Sequence, residues 1–177
     1  MELGESPFHE NSGITEIHAP KLTNFNAYST WHNYNNLEVL DLPVSTRLNS
    51  VQNNPKLTTI NAPLATKFST YDEGKLYLSN NPLLSTLNIN FSAVTTLGNG
   101  CFSNNAGLNG QYLYFPNVTS FESEALRNNA INFVFSNNSI ITLSGYGWFS
   151  SYTGIVYVPD NLVDTYKTTS GWSDIAN

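Results

Sequence analysis

The 177 residues predict a repeat solenoid of α/β type in which strands dominate, with one short parallel strand per coil, an irregular convex side and a short C-terminal capping helix. Three observations carry this expectation. A tetrad of apolar, polar, apolar and usually Pro recurs every 20 to 27 residues or so. A Thr with an apolar residue two places later follows it, and an Asn flanked at three residues on either side by apolar residues closes the unit. A unit this small cannot bury its apolar side alone, so the copies must stack.

The strand element has seven copies: Ile17-His18-Ala19-Pro20, Leu40-Asp41-Leu42-Pro43, Ile60-Asn61-Ala62-Pro63, Leu87-Asn88-Ile89-Asn90, Leu113-Tyr114-Phe115-Pro116, Val134-Phe135-Ser136-Asn137 and Val156-Tyr157-Val158-Pro159. Alternation sends two side chains of each tetrad into the core, and Pro ends the strand where no further ladder donor is required. The opposite face then carries Glu16/His18, Val39/Asp41, Thr59/Asn61, Thr86/Asn88, Tyr112/Tyr114, Phe133/Phe135 and Ile155/Tyr157. That face starts polar and ends as an aromatic platform of Tyr112, Tyr114, Phe133, Phe135 and Tyr157. Exposed aromatics on one face mark a contact surface, and tyrosine and phenylalanine rings suit protein and sugar ligands alike. The same pattern also arises where the C-terminal segment folds back over the patch, or where a neighbouring chain covers it.

The Thr element reads Leu22-Thr23-Asn24-Phe25, Ala65-Thr66-Lys67-Phe68, Val94-Thr95-Thr96-Leu97 and Val118-Thr119-Ser120-Phe121, with looser copies at Ser45-Thr46-Arg47-Leu48 and Ile140-Ile141-Thr142-Leu143. A flat Thr column is what an ice-binding face needs, but a repeated structural position is the better account of it. The third element is Phe8/Asn11/Ile14, Val51/Asn54/Leu57, Leu78/Asn81/Leu84 and Phe102/Asn105/Leu108. Trp31/Tyr34/Leu37 keeps the spacing with Tyr for Asn, and Leu126/Asn129/Ile131 is one residue short. Asn at a turn between coils satisfies backbone groups left unpaired inside a tightly bent chain, so Asn11, Asn54, Asn81, Asn105 and Asn129 are expected to form a structural ladder.

The units occupy residues 1–159 as about six to seven coils, and 160–177 form the cap. Asp160 is placed to N-cap a short helix through about Lys167, with Leu162, Val163 and Tyr166 as its buried stripe; Gly171 ends it, and Trp172 with Ile175 covers the last coil. At the other end Leu3-Gly4 falls in the middle of a unit, which predicts a fragment or the trailing part of a longer protein.

Composition narrows the function. Charged residues are 11% of the chain, against about 25% in an ordinary soluble domain. Polarity comes instead from 26 Asn, 19 Ser and 17 Thr. A net charge of −6 without a Lys/Arg cluster argues against nucleic acid, and no apolar run approaches the ~18 residues of a membrane insertion. Cys101 has no partner for a disulfide, and no cofactor or metal motif occurs. His9, His18 and His32 are scattered, while Asp72-Glu73 and Glu122/Glu124 read as solvated loop carboxylates and not as the acid pair of a glycosidase. Sequons occur at Asn90, Asn117 and Asn137, as expected by chance in a chain so rich in Asn, Ser and Thr.

Leu97-Gly98-Asn99-Gly100-Cys101-Phe102-Ser103-Asn104-Asn105, Leu3-Gly4-Glu5-Ser6-Pro7-Phe8-His9-Glu10-Asn11 and Leu57-Thr58-Thr59-Ile60-Asn61-Ala62-Pro63 resemble the repeat of BspA-type leucine-rich repeat proteins. The close of the chain, Val156-Tyr157-Val158-Pro159 with Tyr166-Lys167 and Gly171-Trp172, is similar to the end of such arrays. The resemblance covers nearly the whole chain. It departs at the long insert between Phe68 and Leu78, at the short coil from Leu48 to Leu57, and at Asn90 and Asn137 where the pattern has Pro. It implies a secreted or cell-surface binding protein, often adhesive, that contacts a host or cell-surface protein or glycan without enzymatic activity. Two other classes are alternatives: a host-recognition or structural domain of a phage tail or virion appendage, self-associating through the aromatic face, and a carbohydrate-active enzyme, which would need a carboxylate pair about 5 to 9.5 Å apart in a cleft and against which the solvated loop carboxylates argue.

Overall fold

The computed structural model describes residues 13–24, 31–69 and 72–175. Asn11, Phe8, His9 and the opening Leu3-Gly4 lie outside the described residues. The strands follow in chain order as β1 (Glu16–His18), β2 (Trp31–His32), β3 (Val39–Asp41), β4 (Val51–Gln52), β5 (Thr59–Ala62), β6 (Lys75–Leu76), β7 (Thr86–Ile89), β8 (Thr96–Leu97), β9 (Tyr112–Phe115), β10 (Ser120–Phe121), β11 (Asn132–Phe135), β12 (Thr142–Leu143) and β13 (Val156–Tyr157). All pairing is parallel between successive coils, and the chain winds about six turns as a β-solenoid. One side holds β1-β3-β5-β7 and then β9-β11-β13; a second holds β6-β8-β10-β12; a third begins as β2-β4. The sole α-helix among the described residues is α1 (Val163–Thr168).

The first side follows the tetrads. Ile17, Leu40, Ile60 and Leu87 are register partners along one inward column, and Asp41, Asn61 and Asn88 alternate with them on the outer face. In β11 the register differs from the sequence expectation by one residue. Phe133 pairs with Leu113 and Val156, and Phe135 with Phe115, so Phe133 and Phe135 point inward and Asn132 and Val134 outward. A one-residue shift exchanges the two faces of a strand. Asn132 holds the observed register: its backbone N–H donates to Gln111 (2.8 Å), its side-chain amide donates to Gly110 (3.2 Å), and its Oδ1 accepts from the N–H of Ile155 (3.1 Å).

The inward position of both rings matches a change of core along the array. The early coils bury mostly aliphatics such as Leu40, Leu42, Leu57 and Ile60, with the large rings of Trp31, Tyr34 and Phe68 among them. From Phe91 onward the buried rings touch one another in a continuous cluster among the aliphatics, with centroids 4.4 Å apart for Phe91–Phe115, 5.2 Å for Phe102–Phe133 and 5.5 Å for Phe121–Phe135. Such pairs add to the gain from apolar area alone.

The strands of the second side lie in or beside the Thr element. Thr23–Thr46–Thr66 and Thr95–Thr119–Thr142 are two exposed runs, each Thr N–H donating to the carbonyl of the Thr one coil before at 2.9 to 3.0 Å. The insert after Phe68 interrupts them: its coil meets the preceding one through Arg47 and Lys67 and the following one through β6. Glu73 ties this loop down, pairing with Lys67 at 2.9 Å and Arg47 at 3.0 Å.

Two asparagine columns turn the chain at the third side. Asn54, Asn81, Asn105 and Asn129 are buried. Asn81 Oδ1 accepts from the backbone N–H of Asn54 (3.2 Å), its Nδ2 donates to Val51 and Ser79 (3.1 Å each), and Asn105 Oδ1 accepts from the N–H of Asn81 (2.9 Å). Asn129 differs, its Oδ1 serving Ile131 N–H of its own coil. The residue before each ladder Asn is left-handed: Asn53, Asn80, Asn104 and Asn128 have φ between 51° and 59°, and Asn33 before Tyr34 has φ 63°. Asn tolerates that region better than other residues with a Cβ. Their exposed amides are also in line, with Asn80 donating to Asn53 (2.8 Å), Asn104 to Asn80 (2.7 Å) and Asn128 to Asn104 (3.2 Å).

At the C-terminal end Tyr166 and Trp172 are buried with their rings edge to face at 4.8 Å. The Tyr166 hydroxyl accepts from Ile141 N–H (3.0 Å), and Trp172 Nε1 donates to the Ile141 carbonyl (2.9 Å). Trp172 covers Phe121 and Phe149. Asp160 does not act as the expected cap. It is exposed in a 3-10 turn (Asp160–Leu162) that starts after Pro159, and neither this turn nor α1 receives a side-chain cap bond. The N-cap position is taken by Pro159, whose ring carries no acceptor, and Asp160 falls one residue inside the turn.

Candidate functional site on the outer sheet face

Each strand of the first side presents two outward residues, and on most coils these are saturated by one another. His18 Nδ1 lies 3.1 Å from Asp41 Oδ2 and its Nε2 3.0 Å from Glu16 Oε2. Hydrogen bonds to Glu16, then Asp41, raise the imidazole pKa, while the Asp41 carboxyl is held below its ordinary value chiefly by Asn61 and next by His18. Asn61 Nδ2 donates to Asp41 Oδ1 (2.6 Å), and Asn88 Nδ2 donates to Asn61 Oδ1 (2.7 Å). The polar half of the face is thus a directional chain of hydrogen bonds that ends on the Asn88 carbonyl oxygen.

Beyond Asn88 the character changes. Tyr112, Tyr114 and Tyr157 are 65%, 54% and 40% exposed, and Ile155 stands open beside them. Phe133 and Phe135, at 0% and 2%, are no part of this surface; the two aromatics expected on the middle strand belong to the core. Their outward neighbours Asn132 and Val134 leave a low floor, and the Tyr112 and Tyr157 rings meet across it with centroids 5.8 Å apart. Donation of its hydroxyl to Tyr112 raises the pKa of the Tyr157 phenol. The Tyr114 hydroxyl bonds Ser136 Oγ at 2.8 Å. All six outward residues of β9, β11 and β13, taken with Ile155, are uncharged.

Beside this platform a groove of about 460 Å³ runs between β13 and the cap, with Val156, Val158, Val163, Tyr166 and Trp172 among its lining. The cap packs on the end of the core without crossing the tyrosines, so the alternative that the C-terminal segment covers the patch is not what the fold does.

The carboxylates weighed as catalytic are engaged elsewhere. Glu122 Oε1 reaches Lys75 at 2.7 Å and Glu124 Oε1 reaches Arg127 at 2.8 Å. Asp72 lies 3.7 Å from the same Lys75, and Lys67 foremost holds the Glu73 carboxyl below its ordinary pKa. Cys101 is buried, which pushes its thiol pKa well up. Among the described residues no group of three or more His, Cys, Asp or Glu is placed to hold a metal, and no helix is long and apolar enough to cross a membrane. Ser136 joins the site only through its contact in space with Tyr114.

No protein-family model matches the chain, and no curated protein matches its sequence.

Proposed function

We propose that the chain is a recognition module of the BspA-type leucine-rich repeat kind, secreted or displayed at a cell surface, which binds a protein or glycan on another surface and performs no catalysis. The observation that carries this reading is the set of three exposed tyrosines on a sheet face whose earlier half is largely polar and hydrogen-bonded within itself. A solenoid gains nothing in folding from leaving rings of this size in water, and exposed apolar patches on soluble proteins usually mark a contact. The spacing and composition of the repeats support the family, as does the parallel-stranded coil. Ion-pairing of the available carboxylates supports a binding role over hydrolysis.

The test is binding of the fluorescently labelled chain to a panel of bacterial and mammalian cells, measured by flow cytometry beside a Tyr112→Ala/Tyr114→Ala/Tyr157→Ala variant of unchanged melting temperature. The reading expects saturable binding to some cells and its loss in the variant. Binding that survives the triple substitution places the contact elsewhere and overturns the site.

A further inference from the structure

Resting on that reading, we infer that the tyrosine platform takes a neutral glycan, with two or three pyranose rings laid on Tyr112, Tyr114 and Tyr157. Size argues first. At 65%, 54% and 40% exposure the three rings offer roughly 300 to 400 Å² in total. A stable protein interface takes about 800 Å² from each partner, twice what is available here, and a short run of sugar rings needs no more than this.

Chemistry argues next. Tyr112 and Tyr114 stand two residues apart on β9, and the Tyr157 ring reaches across β11 to within 5.8 Å of the Tyr112 ring, so the three rings form one cluster on the scale of a short run of pyranose rings. The apolar C–H faces of sugars match tyrosine faces, and sugar hydroxyls, each donor and acceptor at once, match the phenol hydroxyls and Ser136 Oγ. The hydrogen-bond chain Asp41–Asn61–Asn88 leaves Asn88 Oδ1 as an open acceptor on β7, the strand that precedes β9 on this side. Charge argues last. The outward residues of β9, β11 and β13 include no cation to offset the desolvation of a carboxylate or sulfate, and Lys167 in the adjoining groove shares its lining with Asp160, so acidic glycans are disfavoured.

The experiment is a glycan microarray carrying neutral and acidic oligosaccharides, probed with the whole chain and with the triple tyrosine-to-alanine variant, together with light scattering of both. The expected result is binding confined to neutral glycans and weakened at least tenfold in the variant, with Asn88→Ala intermediate and the wild type monomeric. Binding to acidic glycans alone, no glycan binding, or equal binding by the variant overturns the inference. So does a stable dimer that the variant dissociates, which would assign the face to a second copy. The two proposals fail differently: cell binding that needs the tyrosines and is abolished by protease treatment of the cells, but not by periodate, keeps the recognition module and removes the glycan.

Discussion

Tyr112 and Tyr157 stand on strands that do not touch, yet their rings pack 5.8 Å apart over the outer face of β11. The contact is diagonal and needs the small floor left by Asn132 and Val134. Large inward residues on β11 and small outward ones are therefore two results of one register.

Because Tyr112 hydrogen-bonds Tyr157 and so raises its pKa, Tyr112→Phe is expected to move the Tyr157 ionisation down towards the ordinary value near 10. The raised value means that the folded chain keeps this proton longer than the unfolded one, so its contribution to stability is complete below pH about 10 and is lost as pH rises through the folded pKa. Ultraviolet absorbance titration of wild type and variant measures the shift.

The register of β11 has a direct energetic test. Phe133→Ala is expected to cost about 3 to 5 kcal/mol, the usual range for removing a buried ring, whereas Tyr112→Ala is expected to stay within about 0.5 kcal/mol. Urea unfolding of the two variants decides it. Equal small losses would mean that Phe133 faces solvent.

Neighbouring asparagines should respond in opposite ways. Asn81→Ala strips the partner from the Asn54 N–H and from the Val51 carbonyl, while the Ser79 carbonyl keeps the Asn53 N–H, and is expected to cost about 2 kcal/mol or more at about 1 to 3 kcal/mol for each unsatisfied buried group. Asn80, at φ 57°, should lose roughly 1 to 2 kcal/mol on change to Ala and much less on change to Gly, which adopts that conformation freely. Thermal melts of the three variants give the ranking.

Trp172→Ala opens the C-terminal end of the core over Phe121 and Phe149 and removes the bond to the Ile141 carbonyl. A loss of about 3 to 5 kcal/mol is expected, with increased binding of a hydrophobic dye before the main unfolding transition.

Tyr34 stands in the place that Asn occupies in later coils, and its hydroxyl is buried with no partner among the described residues. Burial pushes the phenol pKa up to about 12. Stability is therefore expected to fall by roughly 2 to 3 kcal/mol as pH rises from about 10 to beyond 12, and Tyr34→Phe should remove that part of the alkaline loss while leaving neutral-pH stability unchanged or higher. Denaturant midpoints across that pH range provide the check.

The repeat was legible because each coil writes its inward residues locally: the alternation through Leu40, Ile60, Leu87 and Leu113, the Val51/Asn54/Leu57 spacing and its copies, and the aromatic change after Asn88 all follow from side-chain period within a few residues. Tyr112, Tyr114 and Tyr157 could be placed on the outer face for that reason. The segment Asn132 to Asn137 could not, since Phe133-Val134-Phe135 alternates equally well in either register. Its choice was made by the ladders to β9 and β13 and by the Asn132 bonds, which exist only once the coils are stacked. The two-residue strands of the second and third sides, the left-handed asparagines and the Tyr112–Tyr157 contact share that origin. A short strand has no period to read, and a hydrogen bond between coils has no local sequence signature, so both emerge from stacking.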